Sequence, residues 1–454
     1  MEYDVSIEKS GKIILPNHDL YDDKRKVWNN RFDRRPAVIF ECKSEADVVS
    51  AVNYANDQDL EVSIHGGGHH LAGTAVCDGG VMVDLSNMNK VTVDKERQIA
   101  VVEGGAKLSD IDHETQKYGL ATPTGTVSET GIGGLALGGG FGYLRGKYGL
   151  TCDNIKSVRM VTAEGELLHV NEENHSDLFW AIRGGGGNFG VVTSFEFQLH
   201  PVGPNVLALD VMYDYKDVHQ ILNRLKEYMI TASDEVSVNL AIMQLPPADF
   251  LPEFLHHKRV ITLSGMYLGQ LSREVEETII EPLVKLAEPI MDNTGIMPYV
   301  QLQSKLDPMV PRGVSFDGTS LFFKELTDEA IQLLTKAIDE SEVSTIVQLW
   351  ALHGQMNRTS PHDTAFAIRD ANYLLLVDGE IPDESPAKCT EWMDSLYKKL
   401  EPYSHKGASY LNGANLDHEI MLKTYRDNYR RLADIKGKYD PKNIFCHNHN
   451  IEPA

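Results

Sequence analysis

Apolar positions over the first 200 residues fall in short blocks separated by glycine. AVIF (37–40), VSI (62–64), VMVDL (81–85), VTV (91–93), IAVVEG (99–104), VRMVTA (158–163) and VVTSFEFQL (191–199) are rich in β-formers, and several are bounded by Gly, Asn or Asp, so they predict strands. One helix starts at a cap-like Ser44/Asp47 pair and repeats Val48, Ala51, Val52 and Ala55 at helical spacing. From 201 to 405 the texture changes. Helical patterns at 218–230, 271–287, 327–340 and 386–400 alternate with VSVNLAIM (236–243), VITLSGMYL (260–268), STIVQLWAL (344–352) and YLLLV (373–377). That alternation predicts an antiparallel sheet covered by helices on one face. A third segment, 406–454, carries SYLNGANL, a helix near 418–436 and the tail KYDPKNIFCHNHNIEPA. The fold class is α+β.

Composition narrows the function. The chain has 454 residues, with 66 acidic against 43 basic groups and a net charge of -23. Such an excess repels phosphate backbones and anionic lipids, so neither nucleic acid nor membrane is an expected partner. A small basic patch (Arg25, Lys26, Arg31, Arg34, Arg35) reads as a solvated or cofactor-phosphate-facing surface. No run of 18 apolar residues and no basic-then-apolar leader is visible, and the expected location is cytoplasmic. The five cysteines (Cys42, Cys77, Cys152, Cys389, Cys446) form no CxxC pair, which fits a reducing compartment.

Glycine carries the chemistry. Clusters stand at Gly66–Gly68, Gly131–Gly142 and Gly184–Gly187. Without a Cβ, backbone N–H groups can approach a pyrophosphate and the chain can adopt positive φ. Gly131-Ile132-Gly133-Gly134-Leu135-Ala136 matches GxGxxA, yet TPTGTVSET rather than a hydrophobic strand precedes it, which argues against a dinucleotide turn. No GxxxxGK[ST] occurs.

Four blocks then resemble one family. They are His65-Gly-Gly-Gly-His69-His70-Leu-Ala-Gly73; the run from Thr130 through the glycines to Asp153-Asn154; Asp177 through Gly184–Gly187 to Thr193; and Tyr410-Leu-Asn412 with the tail from Tyr439 to Asn450. Their order over nearly the whole chain is similar to flavoproteins related to berberine bridge enzyme and 6-hydroxy-D-nicotine oxidase, within the vanillyl-alcohol oxidase superfamily. The resemblance implies a bipartite PCMH-type FAD domain (1–200 and 406–454) with a substrate domain (201–405) between its parts. It implies FAD bonded covalently through His69. Around it the matching cofactor positions are His65, Gly66, Gly67, Gly68, His70, Gly73, Gly125, Thr126, Thr130, Gly133, Gly134, Gly138, Gly139, Tyr143, Asp153, Asn154, Gly187, Asn188, Gly190, Val191, Val192, Asn448 and Asn450. A second, cysteinyl link is not expected, because Val127 stands at the matching position, and Cys152 reads as a buried side chain. No metal is expected at His65, His69 and His70, which lack a further ligand at suitable spacing.

On the substrate side, Gln348 and Trp350 share one face of their strand, and Val347, Leu349 and Ala351 share the other. The first face is expected to line the pocket, with Arg369 and Asn412 as further substrate contacts. The chain departs from the family's usual bases. Gly354-Gln-Met-Asn-Arg358 puts arginine in the place of a glutamate, Phe141 and Gly413 replace tyrosines, and Phe366-Ala-Ile-Arg369 lacks a histidine. Tyr410, then His353, remain as candidate bases. An alcohol must lose its O–H proton as hydride leaves, whereas a neutral amine needs mainly positioning. The depleted set therefore favours amine or electron-rich aromatic substrates. The expected activity is oxidation of a small-molecule C–N or C–OH carbon, with a small Thr130 favouring O2 as acceptor and H2O2 as product. The alternatives are a sugar or oligosaccharide alcohol oxidase of the same family and a non-catalytic FAD-binding protein.

Overall fold

The computed structural model describes residues 11–249, 251–382 and 386–454. A four-stranded sheet runs in the order Lys12–Ile14, Val38–Glu41, Val81–Asp84, Val62–His65, with the last three parallel. The helix Glu45–Gln58 starts where the Ser44 side chain accepts a hydrogen bond from the Asp47 N–H. It buries Val48, Ala51, Val52 and Ala55 against Val38, Phe40, Val81 and Val83. The C-terminal tail joins this core through Ile444 and Phe445, and the Val62 N–H donates to the Ile444 carbonyl. A second, antiparallel sheet has the order Val91–Asp94, Ile99–Glu103, Val191–Gln198, Ile155–Val161, Leu167–Val170.

An eight-stranded antiparallel sheet follows, in the order Pro289–Asp292, Asn205–Asp214, Arg259–Tyr267, Val236–Gln244, Thr345–Ala351, Tyr373–Glu380, Phe316–Phe323, with Gly295–Pro298 also pairing with Asn205–Asp214. Helices Val218–Met229, Asp328–Asp339 and Pro386–Leu400 cover one face, and Val347, Leu349 and Ala351 sit in that core. The other face looks toward the glycine loops.

Two predicted helices break. The one near 418–436 divides into His418–Tyr425 and Asn428–Tyr439, because Arg426 turns to φ 52°. The 271–287 segment becomes Arg273–Val275, a π-turn at Glu276–Ile280 and Glu281–Val284. Pro282 lacks the N–H that a longer helix would require inside it. The strands Asn205–Asp214 and Phe316–Phe323 add to the elements read from periodicity. Asp317 and Gly318 give the second the look of a turn, yet the glycine is needed there because a Cβ would press on Leu71.

Candidate active site

A cavity of about 320 Å³ lies between the glycine loops and the open face of the large sheet. On the loop side, Gly67 and Gly131 pack backbone against backbone, and a Cβ on either would overlap the amide of the other. Gly68 takes φ +64° and lies so close to the His65 ring that a side chain is excluded. A Cβ on Gly134 would meet nothing within 4 Å; this residue opens its backbone to the cavity.

His69 sits at one end. Its ring stacks on Trp28 (centroids 4.6 Å apart, 16° between planes), and Trp28 stacks in turn on Phe316 at 5.1 Å. Burial, helped by the Arg312 charge, pushes His69 down to about 4, so the imidazole is neutral at physiological pH. Its Nε2 is buried with no hydrogen-bond partner. Behind it, His65 Nδ1 lies 3.5 Å from Asp84. Burial alone would raise Asp84, but His65 and Ser86 outweigh it and hold that carboxylate at about 2.

The turn at 410–413 closes the cavity beside this loop. His70 Nε2 and His449 Nε2 lie 3.0 and 2.9 Å from the Leu411 carbonyl. A carbonyl only accepts, so both rings carry the proton on Nε2. Burial lowers both histidines, His449 to about 3. This clamp sets Tyr410 and Asn412 in place, and the Asn412 amide donates to the Tyr410 hydroxyl (3.0 Å) and to the Leu135 carbonyl (3.1 Å). The Tyr410 ring meets Phe141 edge-on at 4.8 Å. The tail carrying His449 is itself pinned: buried Lys436 pairs with Asp440 at 2.6 Å and donates to the carbonyls of Asn188 and Phe445. Asn448 then donates to the Gly187 carbonyl at 3.0 Å.

The sheet wall is polar where strands cross. Ser264 faces Asn239, which faces Trp350; Thr262 faces Ala241, which faces Gln348, which faces Leu376; Asp378 faces Ile346 one row on. All nine residues line the cavity. Gln348 is held between the Trp350 indole N–H (3.3 Å) and Asp378 (3.5 Å). Burial raises the Asp378 carboxyl to about 6 against the lowering effect of Gln348. Sequence reasoning missed this residue, since the apolar run YLLLV stops one position short of it and a lone aspartate at a strand end carries no motif. Behind the wall, fully buried Arg145 donates to the carbonyls of Gly142, Val238 and Ala351 and to Asn239 Oδ1 (2.9 Å), and lies 5.1 Å from the Trp350 ring centre. Burial pulls it down to about 9, still cationic at pH 7.

Of the positions expected from sequence, the cavity brings together His69, Gly66, Gly67, Gly68, His70, Gly125, Thr126, Thr130, Gly134, Gly138, Gly187, Asn188, Asn448, Gln348, Trp350, Tyr410 and Asn412. Others lie outside its lining, for identifiable reasons. Arg369, expected to touch substrate, is 2% exposed and grips Asp153 with two hydrogen bonds of 2.7 and 2.8 Å. That pairing occupies Asp153 as well, which also accepts from the Leu150 N–H. Asn154 donates to Tyr148 and Leu150 carbonyls and meets His200. His353 Nε2 lies 3.1 Å from the Ser233 carbonyl. Tyr143 packs with Met266 and Tyr299. Gly73 abuts Phe32, Gly139 abuts Phe366, and Gly133 stands against the Gly104 carbonyl. Gly190, Val191 and Val192 begin the strand beside Val161, and Asn450 follows the tail residues that do reach the cavity. His65 supports the loop from behind. The basic patch is spent on local pairs, Arg25 with Asp22 and Asp33, Arg31 with Asp317, and Arg34 on the Gly73 and Val76 carbonyls.

Glycine loops open for backbone approach, a neutral histidine with a free buried nitrogen, and a polar sheet wall opposite fit FAD, and together define a flavin-dependent redox site. Comparisons with known proteins give the same class. The FAD binding domain model matches residues 36–171 and the berberine and berberine-like model matches 409–452. An FAD-linked oxidoreductase of Dictyostelium discoideum is 33% identical over 432 residues, 94% of this chain and 91% of the relative. The chain belongs to this berberine-bridge-like family of FAD-linked oxidoreductases. Among solved structures, 6-hydroxy-D-nicotine oxidase of Arthrobacter nicotinovorans is similar with a TM-score of 0.87 and 29% identity, covering 100% of both chains. Glucooligosaccharide oxidase of Acremonium strictum, described with a 6-S-cysteinyl, 8α-N1-histidyl FAD, reaches a TM-score of 0.86 at 25% identity, covering 98% of this chain and 97% of that one. Among the described residues no helix is long and apolar enough to cross a membrane.

Proposed function

We propose that this FAD-linked oxidoreductase is an oxidase that takes hydride from a C–N or C–OH carbon of a small molecule and passes the electrons to O2, forming H2O2. FAD, when bound, supplies the hydride acceptor and the centre that O2 reoxidises. His69 is the residue to carry it covalently, since a neutral imidazole with an unpartnered buried nitrogen is a competent nucleophile. Val127 stands where a cysteinyl link would need a thiol, so the attachment is single.

Asp378 carries the reading. It is a half-buried carboxylate in the cavity wall whose proton affinity sits near neutrality, as a general base requires. Tyr410 lies in the cavity too, but burial pushes its phenol far above the ordinary value of 10, so it acts as a protonated hydrogen-bonding group. The proton acceptor missing from the sequence motifs is thereby present, and alcohols stand beside amines as substrates. Asp378 accepts the O–H proton of an alcohol, while an amine uses the same wall for orientation.

Anaerobic mixing of the holoenzyme with a panel of amines and sugars tests this. Loss of the visible flavin absorbance with one member, recovered by O2 with stoichiometric H2O2, is the expected result. Recovery without peroxide, or reduction by NADPH alone, would sink the oxidase reading.

A further inference from the structure

At the start of the strand Val62–His65, outside the lining of the cavity, three potential ligands of different chemistry converge. Glu61 precedes the strand Val62–His65, and Cys446 and His447 lie on the tail just before Asn448. One ligand atom from each, a carboxylate oxygen, the thiol sulfur and a ring nitrogen, lies within 4.8 Å of the others. His447 Nε2 stands 3.1 Å from Glu61 Oε2, yet this buried nitrogen has no properly aligned hydrogen bond. Two polar atoms so close and not pointed at each other are arranged to share a third centre. Bonds of about 2.0–2.2 Å at a near-tetrahedral angle separate N and O ligands by about 3.3 Å, close to the spacing found. Cysteine, histidine and carboxylate together suit a borderline divalent ion rather than calcium or magnesium.

We propose that Glu61, Cys446 and His447 form a site for a zinc-type divalent cation, with water in the fourth position. Sequence reading expected no metal, and it could not anticipate that folding sets Glu61 beside a tail 385 residues later. The consequence is a staple. Glu61 leads into the strand that ends at His65 and launches the His69 loop, and Cys446–His447 lead directly into Asn448 and His449 of the cavity. The Val62–Ile444 hydrogen bond already joins the two segments, and the ion closes them a second time.

Cobalt(II) is the probe, since tetrahedral Co2+ absorbs at wavelengths beyond the flavin bands and a thiolate ligand adds a charge-transfer band. Chelator-stripped full-length holoprotein is expected to bind one Co2+ with both features, and Zn2+ is expected to displace it and raise the thermal midpoint. Cys446→Ser should abolish the charge-transfer band. Glu61→Gln, at an exposed side chain, should weaken Co2+ affinity by about tenfold or more. The other four cysteines are buried and do not compete. Absence of a tetrahedral spectrum at saturating Co2+, or the same spectrum in Cys446→Ser, overturns the site whatever the enzyme's substrate proves to be.

Discussion

On the loop wall of the cavity Gly67 and Gly131 meet through their backbones, whereas on the sheet wall Gln348, Trp350 and Asp378 meet through their side chains. The first wall tolerates no Cβ at its contact points, so its sequence is fixed by steric exclusion. The second wall is a pleated surface whose pointing residues can change while the strands behind them, packed on helices, stay as they are. On the proposed function, cofactor binding falls to the part that cannot vary and substrate choice to the part that can.

That contrast can be broken deliberately. The largest effect belongs to Gly67→Ala, which drives a methyl into the Gly131 amide; we expect loss of bound flavin and a destabilisation of about 3 kcal/mol or more, read by flavin content and chemical denaturation. Next is Asp378→Asn. Alcohol turnover should fall by roughly 10² to 10⁴-fold with flavin retention unchanged, and amine turnover should fall far less. The same residue sets a pH limb. Its raised pKa leaves the carboxyl protonated below about 6, so alcohol turnover in the wild type should climb as pH rises through that value. Steady-state rates from acid to neutral pH would show the limb, and its persistence in Asp378→Asn would assign it elsewhere.

A smaller effect lies under the loop wall. Asp112 is buried beside Gln303, which also holds the Thr124 hydroxyl and the Gly125 carbonyl, and burial raises its carboxyl to about 7. An acid raised in the folded state stabilises it fully below the unfolded value of 3.8 and loses that contribution as pH climbs to about 7. Asp112→Asn should therefore gain about 1 kcal/mol or more over wild type at pH 8, and little at pH 4. Melting at the two pH values checks the sign. Smallest is Gln348→Met, expected to leave flavin content intact and to move KM by about tenfold or less.

The loop wall was legible from sequence because exclusion leaves a dense signature: glycine at Gly66–Gly68 and Gly131–Gly142 cannot be mistaken for ordinary turns. The sheet wall was only half legible. Alternation in STIVQLWAL separated Gln348 and Trp350 from the helix-facing Val347 and Leu349, because a strand's period is visible locally. Asp378 was not, since its meaning depends on burial and on cross-strand neighbours that sequence does not place. Arg369 failed in the opposite sense. Its motif suggested a substrate contact, while the fold had brought Asp153 within 2.7 Å of it. Charged residues are the hardest to assign from sequence, because a partner far along the chain decides whether they are free to act.

The central claim is that this loop wall ends in a histidine bonded to FAD. Intact mass of the denatured wild-type protein, set beside His69→Ala, tests it most directly. The account predicts a wild-type mass greater than the bare chain by one FAD and a variant at the mass of the bare chain. A wild-type protein that carries flavin in its native spectrum yet shows only the chain mass after denaturation would contradict it.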